Sequence, residues 1–505
     1  MTLDLLREPL IQTDTDWFSL PGLLAAMARG EVQAFPALRP HQRPAWHMFL
    51  VQLSVMALDA AGRRDLPTED EDWRAALRAL TPDFPKDEPW QLIGTDRGQP
   101  AFLQPPDPGG LKWSAVATPD ALDMLITSRN HDVKREIAHE AAPQDWIFAL
   151  VSLQTMEGFG GAGNYGIARM NGGSSSRVLL GLAPTRPGTA VVDPSAWWAR
   201  DVARLLETRH GIDGNTLLWQ APWPEGRMLD LAQLDPLFIE VCRRIRLVER
   251  DGTIGAERST SKAARIAGKE AKGNTGDPWA PVHVTEGKSL TLSDQDWTHE
   301  LLVRLLFSRT PEWAPPPLAV LHASEATEPM LLVAEAFARG NSKTDGFKSR
   351  VVPVPVAMVG KLFGAEPVPV AEELLEEIAS VDLALRNALA LVAAGGDRDK
   401  VAKPHYVRSQ PARASLRRRA DELFFLQLWA RMAVTTDDGF APLRRGFLET
   451  LSRIARDEFA RALPAIPCAT LMRPRAEARG RLALERGLRN AMRKLTAEED
   501  THVDA

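Results

Sequence analysis

The chain has 505 residues, 61 Lys and Arg against 66 Asp and Glu, and a formal net charge of −5. Its length is about two to four domains' worth, and 44% hydrophobic with 25% charged residues excludes wholesale disorder. Two cysteines, Cys242 and Cys468, exclude a disulfide framework and a cysteine-built zinc site, which points to a reducing cytoplasm.

The start, MTLDLLREPLIQTDTDW, lacks a basic stretch followed by an apolar core, so no signal peptide is expected. The longest apolar runs, such as Trp146 to Met156, fall short of the ~18 residues a membrane span needs. Pro44 to Leu58 reads as a buried helix with Pro44 in its first turn. A second helix is expected from about Pro119 to Ile126, with Thr118 as N-cap, and a third from about Gln144 to Glu157. Gly158 to Pro184 holds eight glycines and reads as loop. Arg250 to Pro281, polar and rich in Gly, Lys, Ser and Thr, reads as a mobile excursion. After about Pro369 four long helical patterns follow, at Ala371–Ala394, Ala412–Val434, Ala441–Leu463 and Arg473–Leu495, with apolar residues at three-to-four spacing. No repeat of 20–50 residues is evident. The expected fold class is therefore α+β: a large mixed α/β N-terminal domain, residues 1–369, and a C-terminal four-helix bundle, residues 370–505.

Gly158-Phe159-Gly160-Gly161-Ala162-Gly163 and Gly161 to Gly166 both fit G-x-G-x-x-G. A dinucleotide fingerprint needs a strand before the glycines and a helix after them; here a helical segment precedes and more loop follows. A helix C-cap with tight turns explains one or two glycines but not this density. Glycines also let a backbone approach something narrow, including a DNA groove. The histidines show no metal-binding spacing, no G-x-S-x-G occurs, and nothing identifies an enzyme or a cofactor. His131, in the run Ser128 to Arg135, lies in a polar basic stretch whose bland reading is a solvated surface. Charge is uneven: Val401 to Leu495 holds 20 Lys and Arg against 9 Asp and Glu. Arg417-Arg418-Arg419, with Arg408 and Arg413, open the second bundle helix, where cations oppose the helix dipole. An anionic partner would offset that mismatch; a solvated arginine-rich face is the plainer reading.

Taken together, these segments resemble the CasA family, the large subunit of the type I-E CRISPR surveillance complex Cascade. The resemblance rests on Phe35 to Gln42 before the Trp46–Leu58 helix, and on Thr127 to Lys134. Above all it rests on Thr155 to Gly166 with Arg169 to Gly173, and it includes Gly276-Asp277-Pro278-Trp279 and Ala338 to Thr344. It runs over essentially the whole chain.

The resemblance implies a non-catalytic subunit without cofactors that reads the PAM, the short motif beside a DNA target, while guide RNA reads the target itself. It places Gly158, Phe159, Gly160 and Gly161 in a glycine loop that enters the minor groove, only about 6 Å wide. Lys269 or Lys272 is the implied lysine finger. Asn341, Ser342 and Lys343 occupy the place of a wedge that in the family carries glutamine, so this chain departs there. Arg129, Asn130, His131, Lys134 and Arg135 match a loop that docks onto the rest of the complex near the guide RNA. Arg417, Arg418 and Arg419 would face the displaced strand or the recruited helicase-nuclease. The implied partners are the backbone, guide-end-binding and small subunits, guide RNA, target double-stranded DNA and that helicase-nuclease, in the cytoplasm and with no membrane. Two rivals stand beside this reading: a nucleotide-dependent cytoplasmic enzyme using the Gly158–Gly166 loop, and a purely structural scaffold subunit.

Overall fold

The computed structural model describes residues 3–122, 141–173, 175–210, 212–292, 295–322, 325, 328–340, 343–434 and 437–503. The chain divides into two compact units: Met1–Trp297 with Glu312–Val356, and Thr298–Pro311 with Ala357–Ala505. The class is mixed α+β.

The first unit is organised by helices that are apolar on every side. α1 (Leu20–Ala28) is followed by α2 (Arg43–Ala60), which buries every residue from Pro44 to Leu58, and by the amphipathic α3 (Asp70–Ala79). A helix of that composition is stable only inside a core. Trp46 supplies the centre, edge-on to Phe35 and Phe148 and stacked on Phe49. Pro119–Ala121 is a 3-10 turn, not the expected helix start, and the Thr118 hydroxyl makes no capping bond. The rest of that expected helix lies outside the described residues. Strand β1 (Ser114–Val116) precedes it. α4 (Pro143–Met156) is buried almost throughout, and the Asp145 carboxylate accepts the Ala142 N–H at 2.8 Å to close its first turn.

Two three-stranded antiparallel sheets and three two-stranded pairings, one of them parallel, complete the described part of the unit. β2 (Leu179–Pro184) follows the glycine-rich stretch, which is therefore not loop to its end, and α5 (Pro194–Glu207) comes next. β3 (Leu234–Ile239) is followed by the hairpin β4 (Arg244–Arg250) and β5 (Thr253–Ser259); β1 pairs on the outer edge of β5. Asp251 and Gly252 join β4 to β5 with φ of 53° and 76°, the two left-handed positions of a tight hairpin turn. The Arg250–Pro281 stretch is thus built into the unit. Its Arg265 is buried, donating to the carbonyls of Leu218, Ala221 and Pro222 at 2.9–3.2 Å. The second sheet sets β6 (Met330–Gly340) between β2 and β7 (Lys343–Val354), with Gly340 opposite Lys343.

The second unit is helical. α6 (His299–Leu306) is capped by the Thr298 hydroxyl, and α7 (Val368–Ala393), α8 (Gln410–Met432), α9 (Asp437–Ala462) and α10 (Arg473–Val503) match the four expected patterns. Pro369 lies in the first turn of α7, where its missing N–H costs nothing. His299 stacks on Phe424 at 4.8 Å and its Nδ1 lies 2.8 Å from the Asp421 carboxylate. Arg431 is fully buried and paired with Glu377, which also accepts from Arg444 Nε at 2.9 Å.

Candidate nucleic-acid interface

α4 ends at Glu157, whose extended backbone throws the chain into the glycine loop. At Gly158 and Gly166 no room exists for a side chain. A Cβ on Gly158 would stand 2.3 Å from the Ser175 carbonyl oxygen, and one on Gly166 would stand 2.6 Å from the Gly158 carbonyl carbon. The loop closes on itself through Phe159 N–H to Gly173 O and Gly160 N–H to Asn164 O, both 2.8 Å. Phe159 and Gly160 remain exposed at its tip.

Beneath it lies Arg243, which the sequence reading did not single out. Its buried guanidinium donates to the Gly158 carbonyl at 2.7 Å and to the carbonyls of Tyr165 and Cys242. Gln154, inside α4, accepts the N–H groups of Cys242 and Arg243 at 3.0 and 2.8 Å, and donates to the Arg243 carbonyl. One helix residue thus locks the arginine that carries the loop.

The stretch from Glu157 to Arg177 is a hub on which distant segments meet. Ser261 N–H donates to Gly163 O at 3.0 Å, and the Tyr165 hydroxyl donates to Lys262 O at 3.2 Å. Gly273 packs so closely that a Cβ would lie 2.6 Å from the Asn171 nitrogen. Arg169 ties the hub to the same segment through Thr275, and its other nitrogen donates to the carbonyls of Pro236 and Phe238. Ser176 pairs with Glu157 on one side and with Phe337 of β6 on the other, accepting the Phe337 N–H on its hydroxyl at 2.6 Å.

The glycine loop, the lysine segment and the β6–β7 hairpin near its closed end therefore share one support. Lys269 and Lys272 are both exposed on that segment, Lys272 in a left-handed backbone with φ of 49°. Lys262, also exposed, lies closer along the chain to the glycine loop than either. It is also tied to that loop in space, its own carbonyl accepting from the Tyr165 hydroxyl and the Ser261 N–H before it donating to Gly163. Asn341 and Ser342 lie outside the described residues, and Lys343 opens β7 opposite Gly340. Arg129, Asn130, His131, Lys134 and Arg135 also lie outside them.

The hub is held by buried charge. Arg177 and Asp277 form a two-pronged pair, 1% and 2% exposed, at 2.5 and 2.7 Å. Burial alone would raise the Asp277 carboxyl, but the neighbouring Arg177 holds it below the ordinary carboxylate range. Burial pushes the Cys242 thiol up to about 12, so it is an inert packing group, and pushes Glu240 up to about 7. Glu240 accepts the Ala168 N–H at 2.8 Å. Because its folded value lies above the unfolded one, the folded chain keeps a proton that the unfolded chain releases. Stability contributed here falls as pH rises from about 4.5 to 7, by about 3 kcal/mol in all. Glu240→Gln, which keeps the acceptor for Ala168, is expected to flatten urea-melt stability between pH 5 and 8; an unaltered slope would exclude Glu240 as its source.

The four arginines in the first half of α8 separate by partner. Arg413 and Arg417 both pair with Asp382, Arg417 at 3.1 Å, and Arg419 pairs with Glu458 at 3.2 Å. The mismatch with the helix dipole is thus offset within the bundle. Arg418 is exposed and makes no ion pair among the described residues.

A helix runs into the glycines and turns follow them, the reverse of a strand–glycine–helix phosphate site. The described residues contain no cluster of three or more His, Cys, Asp or Glu placed to hold a metal, and no helix long and apolar enough to cross a membrane.

No protein-family model matches the chain, and no curated protein matches it in sequence. Solved structures do match it. CRISPR-associated protein Cse1 from Acidimicrobium ferrooxidans aligns over 98% of this chain and 99% of its own, with a TM-score of 0.64 and 17% identity. CasA from Thermus thermophilus aligns over 97% and 100%, with 0.64 and 14%. The chain has the Cse1 (CasA) fold. A chain of a CRISPR RNA-guided surveillance complex also aligns with this Cse1 fold, over 91% and 99%, with a TM-score of 0.50 and 13% identity.

Proposed function

We propose that this chain is the non-catalytic large subunit of a type I-E CRISPR surveillance complex and reads the motif flanking its DNA target through the minor groove. The observation that carries the reading is the convergence of the glycine loop, the Lys262–Lys272 segment and the β6–β7 hairpin on one hub, in a chain with the Cse1 fold from end to end. A loop in which three of the four residues Gly158 to Gly161 carry no side chain brings its backbone close to the floor of a groove about 6 Å wide. Lysine ammonium groups then meet the acceptors there, adenine N3 and thymine O2. Lys262 joins Lys269 and Lys272 as a candidate for that contact, and the hairpin carrying Asn341, Ser342 and Lys343 is the candidate for opening the duplex.

Assembly around a guide RNA with backbone, guide-end-binding and small subunits is supported by the surveillance-complex chain that shares the fold. The stretch Arg129–Arg135 is the candidate docking loop. The basic bundle would face the displaced strand and the helicase-nuclease, and Arg418 is its available contact. Arg418→Ala is expected to lower the slope of log affinity against log salt by about 0.7, one single-strand phosphate's worth, equally for all targets. No change in slope would remove Arg418 from the DNA path.

The decisive experiment is a gel shift of the assembled complex with matched duplex targets that differ only in the flanking motif. A reader binds some flanks and rejects others. Equal binding to all flanks would leave a scaffold and overturn the proposal.

A further inference from the structure

On the reading just given, that the glycine loop enters a DNA groove, we propose that Phe159 is an apolar wedge that unstacks the duplex beside the target. Among the described residues the exposed large aromatic side chains are Trp17 and Phe159, at 42% and 44%. Phe159 stands between Gly158 and Gly160-Gly161, so no adjacent side chain covers it. Its one ring contact is Tyr165, with centres 6.3 Å apart and planes at 54°, and the Tyr165 hydroxyl is itself held by the Lys262 carbonyl. An exposed ring on a floppy loop would say little. Here the base is rigid: the Phe159 N–H is bound to Gly173, the preceding carbonyl to Arg243, and the following N–H to Asn164.

Apolar side chains inserted between base steps are how minor-groove proteins partly unstack and kink DNA, and phenylalanine is among the residues they use. Asn341, Ser342 and Lys343, the candidates for opening the duplex from the hairpin, are all polar, and Phe159 adds the apolar ring that they lack. The nearby exposed Lys262 supplies a cation to hold a phosphate or a groove acceptor while the ring enters.

The test uses the complex assembled on a guide RNA, and duplex targets carrying 2-aminopurine in the flanking step. The wild type is expected to brighten the probe on binding. Phe159→Ala is expected to lose most of that signal and about tenfold in affinity, with affinity restored on a duplex mismatched at the same step; Phe159→Leu keeps an intermediate signal. Full brightening by Phe159→Ala would overturn the proposal. So would failure of Phe159→Ala to co-purify with its partner subunits, since the ring would then be a subunit contact. A wild type that shows no flank-dependent binding overturns the functional reading itself, which separates the two failures.

Discussion

Replacing Gly160 with aspartate is expected to abolish binding of the assembled complex to duplex targets, by about 100-fold or more, while leaving assembly and folding intact. The fold tolerates the change because a Cβ there meets nothing closer than the Arg243 guanidinium at 3.3 Å, and the site is exposed. The function does not tolerate it. A carboxylate placed against phosphates and groove acceptors costs several kcal/mol through like-charge juxtaposition. Gly160→Ala, uncharged and small, is expected to lose far less. A Gly160→Asp complex that still binds duplex targets with flank dependence would exclude the loop from the groove. Gly158 is the contrasting position: its substitution forces the backbone apart and reports on folding rather than on binding.

The second large effect is structural. Asp277→Ala is expected to destabilise the first unit by about 3–5 kcal/mol, because it leaves the buried Arg177 charge without its carboxylate. The Gln52 amide oxygen, 3.1 Å away, cannot replace a charge. Arg177→Met combined with Asp277→Leu is expected to recover most of the loss, since removing both charges removes the desolvation cost as well. Urea titration of the full chain measures all three. A loss below about 1 kcal/mol would mean that water reaches the pair. Because Asp277 follows Lys269–Lys272 in the same segment, Asp277→Ala should also loosen the lysines that the proposed interface uses.

Where apolar periodicity is strong, the sequence was sufficient. α2, α4 and α7 to α9 fall within a few residues of their expected places because three-to-four spacing over three or more turns admits few other structures. α10 starts where expected but runs on from Leu495 to Val503. β2 was missed because its partner, β6, lies some 150 residues away and leaves no local mark. Arg250–Pro281 misled for a sharper reason. Its polar composition reads as a mobile excursion, yet Arg265 is satisfied by backbone carbonyls that only the folded chain brings to it. Asp251-Gly252, a pair suited to a tight hairpin turn, was the local signal there that went unread.

The candidate site divides the same way. Glycine density marked the loop, and lysines near residue 270 could be named from the resemblance. Arg243, Gln154 and Ser176, which hold the loop, belong to no motif. A lone buried polar residue acquires meaning only from the groups it faces.

The membership of α6 in the helical unit bears on how the protein can be divided. The chain passes between the units three times, after Trp297, after Pro311 and after Val356. A single cut therefore yields no clean pair of fragments. A piece ending near residue 356 keeps His299, Leu302 and Phe307 but loses Asp421, Phe424 and Trp429, against which His299 and Phe307 lie. A separable helical unit would instead need Thr298–Pro311 supplied in trans or spliced onto residue 357. The boundary between the two units is a property of the fold and has no single address in the sequence.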